Sequence, residues 1–332
     1  MGLVAAEPPE RQLEPDPGLP VEPAQGDPAA EELLRYIHRD IDRCDWPAVR
    51  DFFAGVTDPD DRAFYLTLLR YAPPPREWLG GWMAAEPRSA LPLLVAGVHG
   101  VYAAWSARGG LLARQTGADR IQEFQRWLAP AEEYLFEAAR RDPDDPVPWT
   151  YLVMSGRGRQ VGLAESWRRW RSAIERHRWS RMAHEQMLQQ LCAKWGGSHE
   201  LMHSFAEETA AQAPTGTCLA GMVAIAHLEH WSYLPPVEDA TYLKRPNVVG
   251  DLNAAADRSI RHPVYRRRPG WAVLHNLFAM AFFLAGDHES AAEQFDELGN
   301  LYTEWPWQYL DGAAPGRRYA MARALSYRAT AD

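Results

Sequence analysis

Lysine is nearly missing from this 332-residue chain: Lys194 and Lys244 are the only two, and every other basic residue is arginine. Such a bias reads as the codon usage of a GC-rich genome and carries no functional signal. Cysteine is scarce as well. Cys44, Cys192 and Cys218 are odd in number and show no C-x-x-C spacing, which excludes a disulfide framework and points to buried thiols in a reducing compartment. No apolar run approaches the ~18 residues of a membrane span. The N-terminus lacks the basic and apolar regions of a secretory signal, so the expected location is cytoplasmic. A formal charge of −9 argues against a general nucleic-acid partner, which needs a basic footprint. There is no phosphate-binding G-x-x-x-x-G-K loop, no G-x-G-x-x-G and no G-x-S-x-G elbow. Gly80-Gly81, Gly109-Gly110 and Gly196-Gly197 stand as isolated pairs, suited to turns or close helix contacts.

What the chain has is rings and helical periodicity. Fourteen Trp and thirteen Tyr suit wide helix–helix interfaces. Residues 1–27 hold six prolines (Pro8, Pro9, Pro15, Pro17, Pro20, Pro23) among acidic residues and few large apolar ones. Such a segment buries too little surface to offset its ordering entropy, which predicts a disordered tail. Asp27-Pro28 then supplies an N-cap and an N1 proline, opening a helix that buries Leu33, Leu34, Ile37 and Ile41. From there, short breaks rich in Pro, Gly and Asp separate apolar-periodic segments. The spacing predicts helices near 46–55, 60–71, 76–85, 88–107, 119–141, 147–156, 162–178, 181–194, 199–213, 217–232, 248–261, 271–285, 288–302 and 316–328. No alternating run demands a sheet. The fold class is all-α over 28–332, with a sub-boundary expected near 109–118.

The densest chemistry lies between Lys194 and Trp231. His199-Glu200-Leu201-Met202-His203 matches H-E-x-x-H, the spacing that turns two histidines to one helix face around Zn²⁺ with a glutamate handling the water proton. Glu229 follows as a candidate third ligand. Against this, Ala206 and Thr209 stand where a metzincin continuation needs Gly and His, and Gly197-Ser198 reads as an N-cap that puts His199 in the first helical turn. The helix after it is apolar on nearly every side, and Glu229 falls with Cys218, Met222 and Ile225, which makes it a buried carboxylate in need of a partner from His227, His230, Lys194 or an arginine. Cys192 and Cys218 lie in apolar segments where a thiol is inert. Residues 166–181 interleave Arg with Trp. That pattern suits single-stranded nucleic acid, but Trp167, Trp170 and Ile174 at i, i+3 and i+7 fit a packed helix with arginines on its wet face better. Tyr265-Arg-Arg-Arg268 is a short basic turn able to meet an acidic patch or simply water.

Two resemblances follow from particular residues. Ala131, Leu135, Ala138, Pro143, Trp149 and Leu152, and again Ala279, Phe282, Gly286, Ala291 and Phe295, occupy the small, large and turn positions of tetratricopeptide repeats, which the chain resembles over about a quarter of its length. Elsewhere the period departs from the repeat, which implies a degenerate solenoid of helical hairpins. The combination Lys194-Trp-Gly-Gly-Ser-His-Glu200, Phe205-Ala206, Ala226-His-Leu-Glu229, Gly286-Asp287, Phe295, Leu298-Gly299 and Glu304-Trp-Pro-Trp307 resembles a bacterial family of helical-repeat proteins of unknown function. That likeness implies a fold and brings no activity. The expected function is a non-enzymatic scaffold for a protein or peptide partner, without a cofactor and without membrane contact. Lys194, Trp195, His199 and His230 are the expected binding residues. The alternative is a metal binder or metal-dependent hydrolase, with His199, His203 and Glu229 on zinc and Glu200, Glu229 or His227 as the acid–base group.

Overall fold

The helix starts follow the capping chemistry written into the sequence. The computed structural model describes residues 26–38, 45–72, 78–109 and 117–331, and among them the chain is all-α, with no strand. The Asp27 carboxylate accepts from the Ala29 and Ala30 N–H groups to open α1 (Pro28–Ile37). Asp45 and Asp58 do the same for α2 (Trp46–Gly55) and α3 (Pro59–Thr67), each followed by a proline near the first turn. The disordered tail expected over 1–27 lies, but for its last two residues, outside the described residues.

The chain continues through α4 (Trp78–Ala85), α5 (Leu91–Arg108), α6 (Ala118–Arg141), α7 (Val147–Arg159), α8 (Leu163–Arg176), α9 (Arg181–Leu191), α10 (His199–Gln212) and α11 (Met222–Trp231). It ends with α12 (Pro236–Tyr242), α13 (Pro246–Arg258), α14 (Trp271–Ala285), α15 (His288–Leu298), the single turn α16 (Glu304–Trp307) and α17 (Pro315–Thr330). The expected helices are present with ends shifted by a few residues. Three differences matter. The segment expected over 181–194 stops at Leu191 and yields to a 3-10 turn, Ala193–Trp195. The one expected over 217–232 begins as a 3-10 turn, Cys218–Gly221, before α11. Helix α12 was not expected at all: Pro235-Pro236 reads as a break, yet proline at N1 starts a helix as readily as it ends one.

Neighbouring helices pack as hairpins, and small residues let them close. A Cβ on Gly97 of α5 would sit 2.5 Å from Leu135 Cγ of α6, and one on Gly100 would sit 2.9 Å from Ala131 Cβ. In α14–α15 the turn is made by Gly286 at φ 80°, where only glycine is unstrained, and the Asp287 side chain caps α15 at the Ser290 N–H. Ala279, Phe282, Ala291 and Phe295 are fully buried there.

Two apolar clusters form the core. One gathers residues from Ala30 to Leu152, the other from Val153 to Ala322, so the division falls inside α7. A sub-boundary was expected near 109–118. Most of that stretch lies outside the described residues, and the helices flanking it, α5 and α6, pack closely within one cluster. No helix among the described residues is long and apolar enough to cross a membrane.

Candidate functional site

Lys194–Trp231 folds into four consecutive pieces: the Ala193–Trp195 turn, α10, the Cys218–Gly221 turn and α11. Ser198 caps α10 by accepting from the Leu201 N–H, which places His199 in the first turn. Gly196 takes a left-handed φ of 89°, and Gly197 passes so close to α9 that a Cβ there would lie 1.9 Å from the Leu191 carbonyl oxygen. The glycine pair therefore turns the chain sharply enough to lay α10 beside α11.

This packing sorts the polar residues into two separate networks. In the first, the Glu229 side chain is 2% exposed and both its oxygens are engaged. Lys194 Nζ donates to Oε2 at 2.5 Å, while Gln189 Nε2 and the Tyr309 hydroxyl each donate to Oε1 at 2.5 Å. Burial and the adjoining carboxylate hold the Tyr309 phenol well above its ordinary pKa, so it stays a donor. Lys194 is one of the partners the sequence left open beside His227, His230 and an arginine; Gln189 and Tyr309 come from α9 and from the turn after α16, beyond the reach of local spacing.

The second network is a ring cluster. His199 stacks on His230 with centroids 3.9 Å apart and planes 11° from parallel. His203 Nε2 lies 3.0 Å from His230 Nδ1. The Tyr242 hydroxyl is the hub, at 2.9 Å from His227 Nδ1, 3.0 Å from His230 Nδ1 and 3.4 Å from His203 Nε2. His227 Nε2 faces Asp251 Oδ2 at 3.4 Å. The Tyr242 hydroxyl has a single proton, so it donates to one of these three imidazole nitrogens and can accept from another. The His227–Asp251 approach is a close contact with a half-exposed carboxylate and not a hydrogen bond. Burial, then the neighbouring imidazoles, lower the pKa of His203 and His230 to about 4. Burial, then His230, lowers His227 to about 4 as well, while burial raises Tyr242 to about 12. At neutral pH all four groups are uncharged.

The zinc set expected from H-E-x-x-H is thereby corrected. Glu229 belongs to the lysine network, while His199 and His203 belong to the ring cluster. Among the described residues no group of three or more His, Cys, Asp or Glu side chains is placed to hold a metal ion. The physical reason is the ion pair. Partly exposed Lys194 offers buried Glu229 a full countercharge, and Lys194, Gln189 and Tyr309 together occupy both carboxylate oxygens. Glu200 is exposed and makes no hydrogen bond or ion pair with the described residues, so it has no acid–base partner.

Trp195 has a different place. Its ring meets Trp105 of α5 edge to face at 5.4 Å, with the guanidinium groups of Arg108 and Arg157 lying 5.1 and 5.7 Å from its centroid. Neither arginine has a carboxylate partner among the described residues. Arg157 is buried and donates to Gln186, and burial lowers its pKa to about 10. Trp195 is thus part of a joint between the two core clusters. Burial raises the Cys192 and Cys218 thiols to about 12, so both stay protonated at neutral pH.

A ligand-sized cleft lies apart from the ring cluster of α10 and α11. It holds about 400 Å³ between α3, α9, the Gly216–Cys218 stretch and residues 264–274. Phe64, Trp179, Tyr265 and Trp271 supply rings, and Arg70, Arg181, Arg266 and Arg268 supply charge. The cleft's acids are already engaged. Asp60 accepts from the Arg181 N–H and lies 3.2 Å from His177, Asp61 pairs with Arg268, and Glu185 pairs with Arg181. Arg70 donates to the Thr67 carbonyl and Arg266 to those of Pro263 and Tyr265, so neither has an ionic partner among the described residues. The basic turn 266–268 thus splits in role: Arg267 and Arg268 hold Glu297 and Asp58, and Arg266 is left over. No protein-family model matches this chain, and neither the curated proteins nor the solved structures give a match.

Proposed function

We propose that the chain is a non-enzymatic helical-repeat scaffold, tetratricopeptide-like in its α6–α7 and α14–α15 hairpins, that binds an acidic protein segment or peptide in the cleft between α3, α9 and residues 264–274. One observation carries the reading. In that cleft the groups suited to acid–base or nucleophilic work are tied up, while two guanidinium groups, those of Arg70 and Arg266, have no carboxylate partner among the described residues. His177 is held by Asp60, whose hydrogen bond raises its pKa, and the Cys218 thiol is kept protonated by burial. Arg70 and Arg266 are exposed surplus positive charges, suited to carboxylates, and the rings beside them suit apolar or aromatic side chains. The lining comes from four separate stretches of chain, as expected of a groove that runs across a joint and takes an extended segment.

The test is binding of the full chain to immobilised peptides of equal length and graded charge. Acidic, aromatic-containing peptides should be retained and basic ones not. Arg70→Glu with Arg266→Glu should abolish retention without shifting the melting temperature, since both side chains are exposed. Equal retention across the charge series, or full binding by the double variant, would overturn the proposal.

A further inference from the structure

The tryptophan-rich face of α8 forms a second cavity that the scaffold reading does not use. Trp167, Trp170 and Ile174 stand at i, i+3 and i+7 on α8, and Phe205 and Glu208 stand at i and i+3 on α10. Together with Trp179 they line a space of about 380 Å³, within the roughly 300–1,000 Å³ range of small-ligand sites. The rings do not tile a plane. Trp167 meets Trp170 at 82° with centroids 5.2 Å apart, and Phe205 lies 5.5 Å from Trp170 and 5.8 Å from Trp167, both in edge-to-face geometry. Rings meeting at such angles enclose a volume. None of the three tryptophans is fully buried, as if the packing stopped short of closing over them.

The charges point the same way. Glu175 and Glu208 both line the cavity, both are exposed, and neither has an ion-pair or hydrogen-bond partner among the described residues. The one cation present, Arg178, lies over the Trp179 ring at 4.9 Å, so the chain already places a positive charge on a tryptophan face here. Burial keeps the adjacent His184 ring uncharged at neutral pH. Two carboxylates against one guanidinium leave the cavity negative, with aromatic quadrupoles adding to the pull on a cation.

We infer that this cavity is a binding site for an alkylated ammonium group, the head shared by choline-type small molecules and by trimethylated lysine. A primary ammonium turned toward the rings loses hydration on that side and keeps only the carboxylates as acceptors, a cost that an alkylated nitrogen, with no N–H donors to satisfy, does not carry. The carboxylates then act through space from the open side.

The experiment is calorimetric titration of the full chain with choline and with its uncharged carbon isostere, 3,3-dimethyl-1-butanol, in parallel with N-acetyl trimethyl-lysine amide and its unmethylated counterpart. Choline and the trimethylated compound should bind, and the isostere and plain lysine should bind at least tenfold more weakly, roughly what loss of a desolvated cation–π contact costs. Tighter binding of one source than the other says which of the two the site takes. Trp167→Leu should lower affinity by a similar factor. Should that variant fail to fold, Glu175→Gln with Glu208→Gln changes only exposed side chains and should weaken binding in a salt-dependent way. Equal affinity for choline and its isostere, no binding by either cation, or unchanged affinity in the glutamine variant would overturn the inference.

Discussion

The Lys194–Glu229 pair gives the sharpest test of how this fold is held together, because its two halves are not equally buried. The Glu229 side chain is 2% exposed and the Lys194 side chain 27%. Removing the lysine as Lys194→Met strands a carboxylate inside α11 with only the two neutral donors, Gln189 and Tyr309. Breaking a buried pair in this way costs about 3–5 kcal/mol, and the remaining donors put the expected value near the lower end. Glu229→Gln is milder. Its carbonyl still accepts from Tyr309, and Lys194 is exposed enough to turn toward water, so the cost is about 1–3 kcal/mol for imperfectly satisfied polar groups. In the double variant no charge is stranded, and its cost should be close to that of Glu229→Gln alone. The cycle therefore predicts a coupling of at least about 2 kcal/mol, with the lysine variant the less stable of the two singles. Urea unfolding at neutral pH, followed by circular dichroism and tryptophan fluorescence to check that the probes coincide, measures all four corners. Additive losses, or a glutamate variant weaker than the lysine variant, would refute the claim that this pair is a buried structural ion pair.

Other parts of the fold make equally definite claims. Arg169 is 5% exposed and donates to Glu132 Oε1 at 2.6 Å, with Ser155 and Arg159 completing the Glu132 contacts, so Glu132→Ala should cost about 3–5 kcal/mol in urea unfolding. Arg168→Ala, one residue away but on the exposed side, should change stability by less than about 0.5 kcal/mol. His203, His227 and His230 titrate near 4 in the fold but near 6.5 when unfolded, so the unfolded chain binds more protons between those values. Their contribution is complete above about pH 6.5 and is lost as the pH falls toward 4; the melting temperature should drop over that window, and imidazole resonances of the three should stay in their neutral positions at pH 6. Gly197→Ala pushes a methyl to 1.9 Å from a backbone oxygen, which cannot swing aside, and should destabilise by about 2 kcal/mol or more in thermal melts.

Periodicity and caps made the helices legible, because an N-cap aspartate or serine acts within its own turn. Asp27 and Ser198 cap helices where the sequence placed them. The buried status of Glu229 was legible from spacing too: α11 is apolar on nearly every side, and its residues from Met222 to Glu229 are inside. What the sequence hid is pairing across distance. Tyr242 lies on the helix that the Pro235-Pro236 pair disguised, and nothing near His227 announces it. Arg169 sits one residue from Arg168 and two from Arg171, both exposed, yet it points into the α6–α7–α8 junction, where Glu132 waits 37 residues earlier. A face of a helix can be read from its own spacing. Which charge on that face meets another depends on a neighbour that spacing does not name.

The same limit bears on the H-E-x-x-H stretch, whose neighbourhood the fold divides between two polar networks. Two adjacent residues in the turn before α10 face opposite tasks. Lys194 reaches into the second core cluster and neutralises Glu229, while Trp195 reaches Trp105 and Arg108 on the first. The turn is therefore a staple between lobes, and Arg157, which donates to Gln186 of α9 and lies against both tryptophan rings, closes it from α7. A staple of this kind needs charge to be satisfied on one side and rings to stack on the other, within three residues of chain. The glycines after it then return the backbone tightly enough for α10 to begin. His199 and His203 are carried along by that return and meet the α11 imidazoles edge to edge and face to face. Their closeness follows from how the two lobes are joined, and that is why removing Glu229 or Lys194 should loosen the joint before it touches any ligand.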